Sequence, residues 1–410
     1  MIKEIGIKAK KAEQTIAFLS NEQKNDALRL IAKNLNSKRT DILEENKKDV
    51  ENGVVIGLTD SLLDRLTLDD ARIDSMIQGL EEIASMADPL NRTLSESTTK
   101  EGLSIRKTTV PLGVIGIIYE SRPNVTLDSF ALCFKAGNAV VLKGGKEAIY
   151  SNTILESIIR DSLSSLSLDP NIIQVIKRTD REATNEMMRL NKYIDVLIPR
   201  GSAGLIKAVV ENSTIPVIQT GDGNCHIYID NEADIDMSIE IIKNAKMQRM
   251  GVCNALESLV IHKDIAEEIL PLIENALVGV HIHADAEAMK TLPNVTLATD
   301  EDFYTEYLGP EVSIKTVSSL DEAITHINEH NTKHSEAIIT RNRDKADEFT
   351  KKVDASTVYV NASTRFTDGS VFGLGAEIGI STQKLHARGP MGVDALCSYK
   401  YIVEGTGQIR

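Results

Sequence analysis

From Val110 onward, short apolar runs alternate with helical stretches at a regular pitch, and this restricts the chain to parallel, doubly wound α/β sheets. Gly113–Ile118, Ala139–Leu142, Ile172–Ile176 and Ile194–Ile198 read as strands. Val125–Lys135, Ala148–Leu166 and Glu182–Leu190 between them carry helical periodicity. The apolar runs are continuous rather than alternating, as expected of strands covered on both faces. A second series follows, with strands at Ser258–Ile261, Val312–Val317, Ala337–Thr340 and Thr357–Val360 and helices at Asp236–Lys246, Asp264–Leu277, Leu320–Ile327 and Lys345–Lys352. The two series join near Gly221-Asp222-Gly223.

Ahead of them, residues 1 to about 88 read as helices, with apolar periodicity in Ala27–Leu35 and again through Asp60–Met86. Residues 88–109 are rich in Ser, Thr and turns, then alternate at Leu103 and Ile105, which suits a partly exposed β arm. The chain ends in a strand-like Tyr399–Val403. These patterns divide it into a first α/β domain over 1–222 with the arm at 88–109, a second over 223–365, and a C-terminal segment over 366–410.

Composition narrows the class. At 410 residues and 42% hydrophobic content the chain has ample material for folded cores. With 46 basic against 60 acidic residues the net charge is −14, which argues against nucleic acid as a partner. No apolar run is long enough for a membrane span, and the first residues lack the apolar core of a signal peptide. The four cysteines, Cys133, Cys225, Cys253 and Cys397, are too far apart for a zinc site or a redox dithiol. A reducing cytoplasm with free thiols and no bound metal is the simplest reading.

Three stretches carry candidate chemistry. Ala139–Lys146 ends a buried strand on Lys143, Gly144, Gly145 and Lys146. Glycine admits close backbone approach to a ligand, and lysine supplies a charge for phosphate or a donor for ribose; a solvated strand end accounts for the same residues. Ile198–Gly204 reads as strand, glycine turn and helix, so Gly201 and Ser202 would present free N–H groups to a pyrophosphate, while Ser202 also suits a plain N-cap. Cys253 sits in the turn Met250–Asn254 behind Gln248 and Arg249. A lone cysteine is usually a small buried hydrophobe, but a nearby cation or helix terminus can make it a reactive thiolate. Cys133 lies in an apolar helical pattern and reads as core, and Cys225 and Cys397 read as structural. Gly373–Gly379 mimics a dinucleotide fingerprint, yet it has one residue too many and lies too late in the chain.

In this order the segments resemble the aldehyde dehydrogenase superfamily over most of the chain. Tyr119–Thr126, Val360–Phe366, Phe372–Thr382 and His386–Gly392 are similar to the branch that reduces L-glutamyl 5-phosphate to L-glutamate 5-semialdehyde, the second step of proline biosynthesis. The resemblance implies two α/β domains, the first binding cofactor and the second carrying the cysteine, with the C-terminal segment returning to the first. It also implies a small β oligomerisation arm and a dimer or larger homo-oligomer. Cys253 matches the nucleophile, and Asn124 matches the asparagine that joins the cysteine's own N–H in the oxyanion hole. Lys143 matches the ligand of the adenosine ribose, Gly201 and Ser202 the pyrophosphate turn, and Glu306 the ligand of the nicotinamide ribose.

Lys146 stands three places after the ribose lysine, where NAD-preferring members often carry an acid, so NADPH is expected. Gln219 stands where oxidising members carry a glutamate base, and glutamine takes no proton from water. A thioester on Cys253 should therefore hydrolyse slowly and be resolved by phosphate. Arg122, Arg365 and Arg388 are candidate ligands for substrate carboxylate and phosphate, or ion pairs of the fold. Transient contact with a glutamate 5-kinase would suit so unstable a substrate. A CoA-dependent acylating dehydrogenase and a catalytically inactive α/β scaffold stand as alternatives.

Overall fold

The computed structural model describes residues 2–410. Their contacts divide the chain into two units. One comprises the chain up to Thr220 together with Gly373–Gly379 and Met391–Arg410; the other comprises Gly221–Phe372 and Ile380–Pro390.

The first unit opens with helices α1 (Ile2–Ile16), α2 (Asn21–Ser37), α3 (Arg39–Val55), α4 (Asp60–Leu66) and α5 (Asp70–Ser85). The helical stretch read through Asp60–Met86 is two helices. Thr67 turns extended, and Asp69 restarts the chain by accepting the N–H of Arg72 at 2.7 Å, an N-cap that ends one helix and begins the next. The arm follows as β1 (Thr93–Thr98), exposed throughout, and β2 (Ser104–Pro111).

Strand–helix alternation then gives β3 (Val114–Tyr119), α6 (Asn124–Lys135), β4 (Ala139–Lys143), α7 (Ile149–Ser165), β5 (Ile173–Val175), α8 (Arg181–Met187), β6 (Val196–Arg200) and α9 (Ala203–Asn212). These strands form one parallel sheet in the order β5-β4-β3-β6. β3, β4 and β5 are buried at every position, which is why their sequences are mostly apolar, broken only by Gln174 in β5 and the terminal Lys143 of β4.

The second unit holds β7 (Cys225–Ile229), α10 (Ile235–Met247), β8 (Leu256–His262), α11 (Lys263–Ala276), β9 (His281–Ala284), β10 (Thr296–Leu297), α12 (Asp300–Tyr304), β11 (Glu311–Val317), α13 (Leu320–His330), β12 (Ser335–Ile339), α14 (Arg343–Lys352) and β13 (Thr357–Val360). Its seven-stranded parallel sheet runs β10-β9-β11-β8-β7-β12-β13. Ile227, Leu259, Ile269, Ile273 and Ile314 lie at the centre of one of its apolar layers. The hairpin β14 (Ile380–Ser381) and β15 (Gly389–Pro390) belongs to this unit, where Gly221 N–H donates to Ile380 O at 3.2 Å.

The C-terminal strand β16 (Cys397–Glu404) pairs antiparallel with β2 along its whole length, so arm and tail form one three-stranded sheet, β1-β2-β16. Among the described residues no helix is long and apolar enough to cross a membrane, and no group of His, Cys, Asp or Glu has the makings of a metal site.

Candidate active site

In the first unit the register of the sheet gathers three loops. Ile118 pairs with Lys143, and Tyr119 with Arg200. The segments after β3, β4 and β6 therefore emerge side by side at the carboxyl edge, where open α/β sheets bind ligands. Lys143 closes β4 as a buried lysine whose Nζ donates to Gly144 O at 3.0 Å. Burial lowers its pKa, against the raising charges of Asp180 and Glu147. Lys146 is exposed at the start of the next turn. Arg122 is exposed in the loop after β3.

Asn124 opens α6, and its Nδ2 donates to Asp128 Oδ2 at 2.9 Å. Burial pushes the Asp128 carboxyl up to about 6, opposed by that hydrogen bond and by Arg200.

Ser202 caps α9, as its sequence context suggests, with Oγ accepting from Leu205 N. Sequence reading does not anticipate Glu120. One of its carboxylate oxygens accepts the Ser202 N–H at 2.7 Å and the other the Ser202 hydroxyl at 3.2 Å. A Cβ on Gly201 would lie 2.4 Å from Glu120 Oε2, so the turn tolerates only glycine while that carboxylate is seated. The N-terminus of α9 thus holds an anion supplied by the chain itself. Gly373–Gly379 forms neither strand nor helix, in keeping with its rejection as a fingerprint.

In the second unit Cys253 lies in the connection from α10 to β8, in a turn closed by Ala255 N to Val252 O at 3.0 Å. It is half-buried, whereas Cys133, Cys225 and Cys397 are buried. The turn is held from two sides. On one, Cys225 Sγ donates to Cys253 O at 3.2 Å, and Gly223 packs so closely that a Cβ there would sit 1.5 Å from that carbonyl oxygen. Gly223 N in turn donates to Glu306 Oε1 at 2.7 Å. Burial, then the charge of Asp222, raises the Glu306 pKa.

On the other side, Asn254 Nδ2 donates to Thr367 O at 2.9 Å, and Thr364 Oγ1 donates to Asn254 O at 2.8 Å. Arg365 reaches Asn254 Oδ1 through its guanidinium and Gln248 Oε1 through Nε at 3.1 Å. Behind Cys225 a buried polar chain runs from His334 Nδ1 to Ser335 Oγ (2.9 Å), Thr367 Oγ1 (2.7 Å) and the Tyr359 hydroxyl (2.8 Å). Cys225 is therefore structural, as its sequence suggests, but its contact is with the turn of Cys253 itself.

Arg388 is held elsewhere in this unit. It lies 2.8 Å from Asp354, a carboxylate shared with Lys384 and Lys333. Burial opposes it, but the hydrogen bonds from Lys384 and Arg388 hold the Asp354 carboxyl down at about 2. The structure thus brings Arg365 to the cysteine turn and engages Arg388 in an ion cluster.

Comparisons with known proteins identify the family of this fold. The model of the aldehyde dehydrogenase family matches residues 2–296 and 290–377. A gamma-glutamyl phosphate reductase of Lachnospira eligens is 52% identical over 411 residues, covering 100% of this chain and 99% of its own. One from Clostridium novyi is 54% identical over 404 residues, covering 98% and 97%. The crystal structure of gamma-glutamyl phosphate reductase from Thermotoga maritima superposes with a TM-score of 0.98 at 44% identity, covering 100% of this chain and 99% of that one. An acetylating aldehyde dehydrogenase from Geobacillus thermoglucosidasius shares the fold, with a TM-score of 0.70 at 15% identity and coverage of 100% and 97%. The chain belongs to the aldehyde dehydrogenase family and, within it, to the gamma-glutamyl phosphate reductases.

Membership implies a nicotinamide cofactor. The first unit fits one, since the Gly201 turn already accommodates an anion against the N–H and hydroxyl of Ser202 at the start of α9. Glu120 would compete with a cofactor pyrophosphate for those donors. A Glu120→Gln variant is accordingly expected to bind the dinucleotide about three- to tenfold more tightly, the gain expected from removing one negative charge at a helix N-terminus. Titration calorimetry with free cofactor checks this, and weaker binding by the variant would show that Glu120 assists the cofactor instead.

Proposed function

We propose that this chain reduces L-glutamyl 5-phosphate to L-glutamate 5-semialdehyde and phosphate, with NADPH as reductant, in the second step of proline biosynthesis from glutamate. The observation that carries the reading is the turn of Cys253, a partly exposed thiol fixed from both sides, in a chain more than half identical to named gamma-glutamyl phosphate reductases over its length.

In this mechanism the Cys253 thiolate attacks the γ-carbonyl carbon. A C–S bond forms, the C–O bond to phosphate breaks, and phosphate departs with the electron pair. The Cys253 N–H and the Asn124 amide stabilise the oxyanion. Lys143, Gly201, Ser202 and Glu306 would hold the cofactor, with Lys146 facing a 2′-phosphate. The chemistry that a bound nicotinamide would supply there is a hydride for the thioester carbonyl. Collapse of the thiohemiacetal then returns the Cys253 thiolate and frees the aldehyde. Gln219 offers no base to activate water, so the thioester persists long enough for phosphate to take it in the reverse direction.

The preference for NADPH rests on Lys146, which is exposed and bears no acid of its own at that place. A Lys146→Glu variant should lose about tenfold in kcat/KM for NADPH relative to NADH, the difference of one charge-assisted contact. Equal use of both cofactors by the wild type would refute the preference. A cytoplasmic homo-oligomer belongs to the same reading, and the exposed Tyr399, Tyr401 and Val403 on β16 support the self-association. So does a transient handover from glutamate 5-kinase.

The test is the reverse reaction, with semialdehyde, NADP⁺, and phosphate present or absent. NADPH formation that requires phosphate supports the reading. Formation without phosphate makes the protein an oxidising dehydrogenase, and formation that requires CoA makes it a CoA-acylating one.

A further inference from the structure

We propose that Arg249 and Arg365 together form the binding site for the phosphoryl group that leaves from, or attacks, the acyl carbon on Cys253. The proposal rests on the acyl-phosphate reading above and adds the residues that recognise the phosphate.

Arg365 lies in the short turn Thr364–Phe366 and reaches across to the cysteine loop. Its Nε donates to Gln248 Oε1 at 3.1 Å, and its guanidinium donates to Asn254 Oδ1. Those two partners bracket Arg249 through Cys253 in sequence. One guanidinium fork is thereby fixed against the loop that carries the nucleophile, and a second cation projects from the same loop.

Neither charge is neutralised by a paired acid. Arg365 hydrogen-bonds only neutral side chains, and the exposed Arg249 makes no ion pair among the described residues. Arg39, Arg72, Arg178 and Arg388, by contrast, each lie against a carboxylate. In a chain of net charge −14, two unneutralised guanidiniums beside a reactive thiol stand out. They are close enough to interact: burial, then the charge of Arg249, lowers the Arg365 pKa, while Cys253 and Asp368 act the other way. Asp368 faces a different neighbour, with its Oδ1 accepting the Ser370 N–H at 2.9 Å.

Two like charges held side by side repel until a dianion bridges them. Phosphate offers two negative charges and several acceptors to two planar forks, whereas a carboxylate offers one charge. The site would act as the C–O bond breaks and charge accumulates on the departing phosphate. In reverse, it would hold phosphate for attack as the C–O bond forms and the Cys253 thiolate leaves.

Two measurements test it. Inorganic phosphate should protect Cys253 of the wild type from iodoacetamide, and the concentration giving half protection should rise roughly tenfold or more in Arg249→Gln and in Arg365→Gln. In the reverse reaction KM for phosphate should rise by a similar factor, with KM for semialdehyde and NADP⁺ changing less than about threefold. Arg365 also positions Asn254, so Arg249→Gln, which removes an exposed side chain, is the decisive variant. An unchanged KM for phosphate and unchanged protection in Arg249→Gln would overturn the proposal. So would a rise in KM for semialdehyde instead, which would assign the pair to the substrate carboxylate. Wild-type turnover that ignores phosphate would defeat the underlying reading, whereas phosphate protection of Cys253 reports the anion site independently of turnover.

Discussion

A Cys253→Ala variant is expected to lose turnover by on the order of 10⁴-fold or more while melting within a few degrees of the wild type. The first effect follows from removing the atom that forms the covalent intermediate in the proposed mechanism. The second follows from the position of Cys253, half-buried on a turn that is fixed by bonds to its backbone carbonyl and to Asn254. No other thiol can replace it. Cys133 and Cys225 are fully buried, and burial pushes the pKa of both well above the ordinary thiol value. Burial also pushes Cys397 up to about 12. Iodoacetamide at neutral pH should consequently label one thiol per native wild-type chain and none in Cys253→Ala. Wild-type turnover by the variant would remove the thioester from the mechanism.

A Gly223→Ala substitution should lower kcat by about 10²-fold or more although the added group is one methyl. That methyl would lie 1.5 Å from Cys253 O, 2.3 Å from Cys253 C and 2.7 Å from Cys253 Cα. All three are backbone atoms, which no side-chain rotation relieves. Either the loop of Gly223 or the turn of Cys253 must shift, and displacement of a reacting group by about 1 Å costs on the order of 10²-fold. Overpacking of this kind should also cost about 1–3 kcal/mol of stability. The shift would disturb the Gly223 bond to Glu306 and the Cys225 bond to Cys253 as well. Steady-state kinetics and a thermal melt check both parts, and activity within threefold of wild type would show that the turn is more pliant than its packing implies.

Some of this architecture is visible in single residues. The apolar runs of β3 and β4 report strands covered on both faces. Ser202 marks the start of α9, and the Ser- and Thr-rich stretch before Thr109 marks the exposed arm. Other elements are masked by function-like polarity. β7 contains His226, buried against the equally buried Glu336 of β12, so a buried polar pair interrupts the apolar pattern of both strands. The break at Thr67–Asp69 is hidden because apolar periodicity carries across it.

The sequence by itself determined the α/β class and the family, because sidedness of burial, helix caps and short specific motifs are local and survive without coordinates. Only the tertiary structure decided what those residues touch. Glu120 meets Ser202 across 82 positions because β3 and β6 pair at Tyr119 and Arg200. Arg365 meets Gln248 across 117, and Cys225 takes the Cys253 carbonyl across 28. Such contacts depend on strand register and loop closure. A side chain's chemical type states what it can bind, whereas its partner is chosen by the packing of segments remote in the chain.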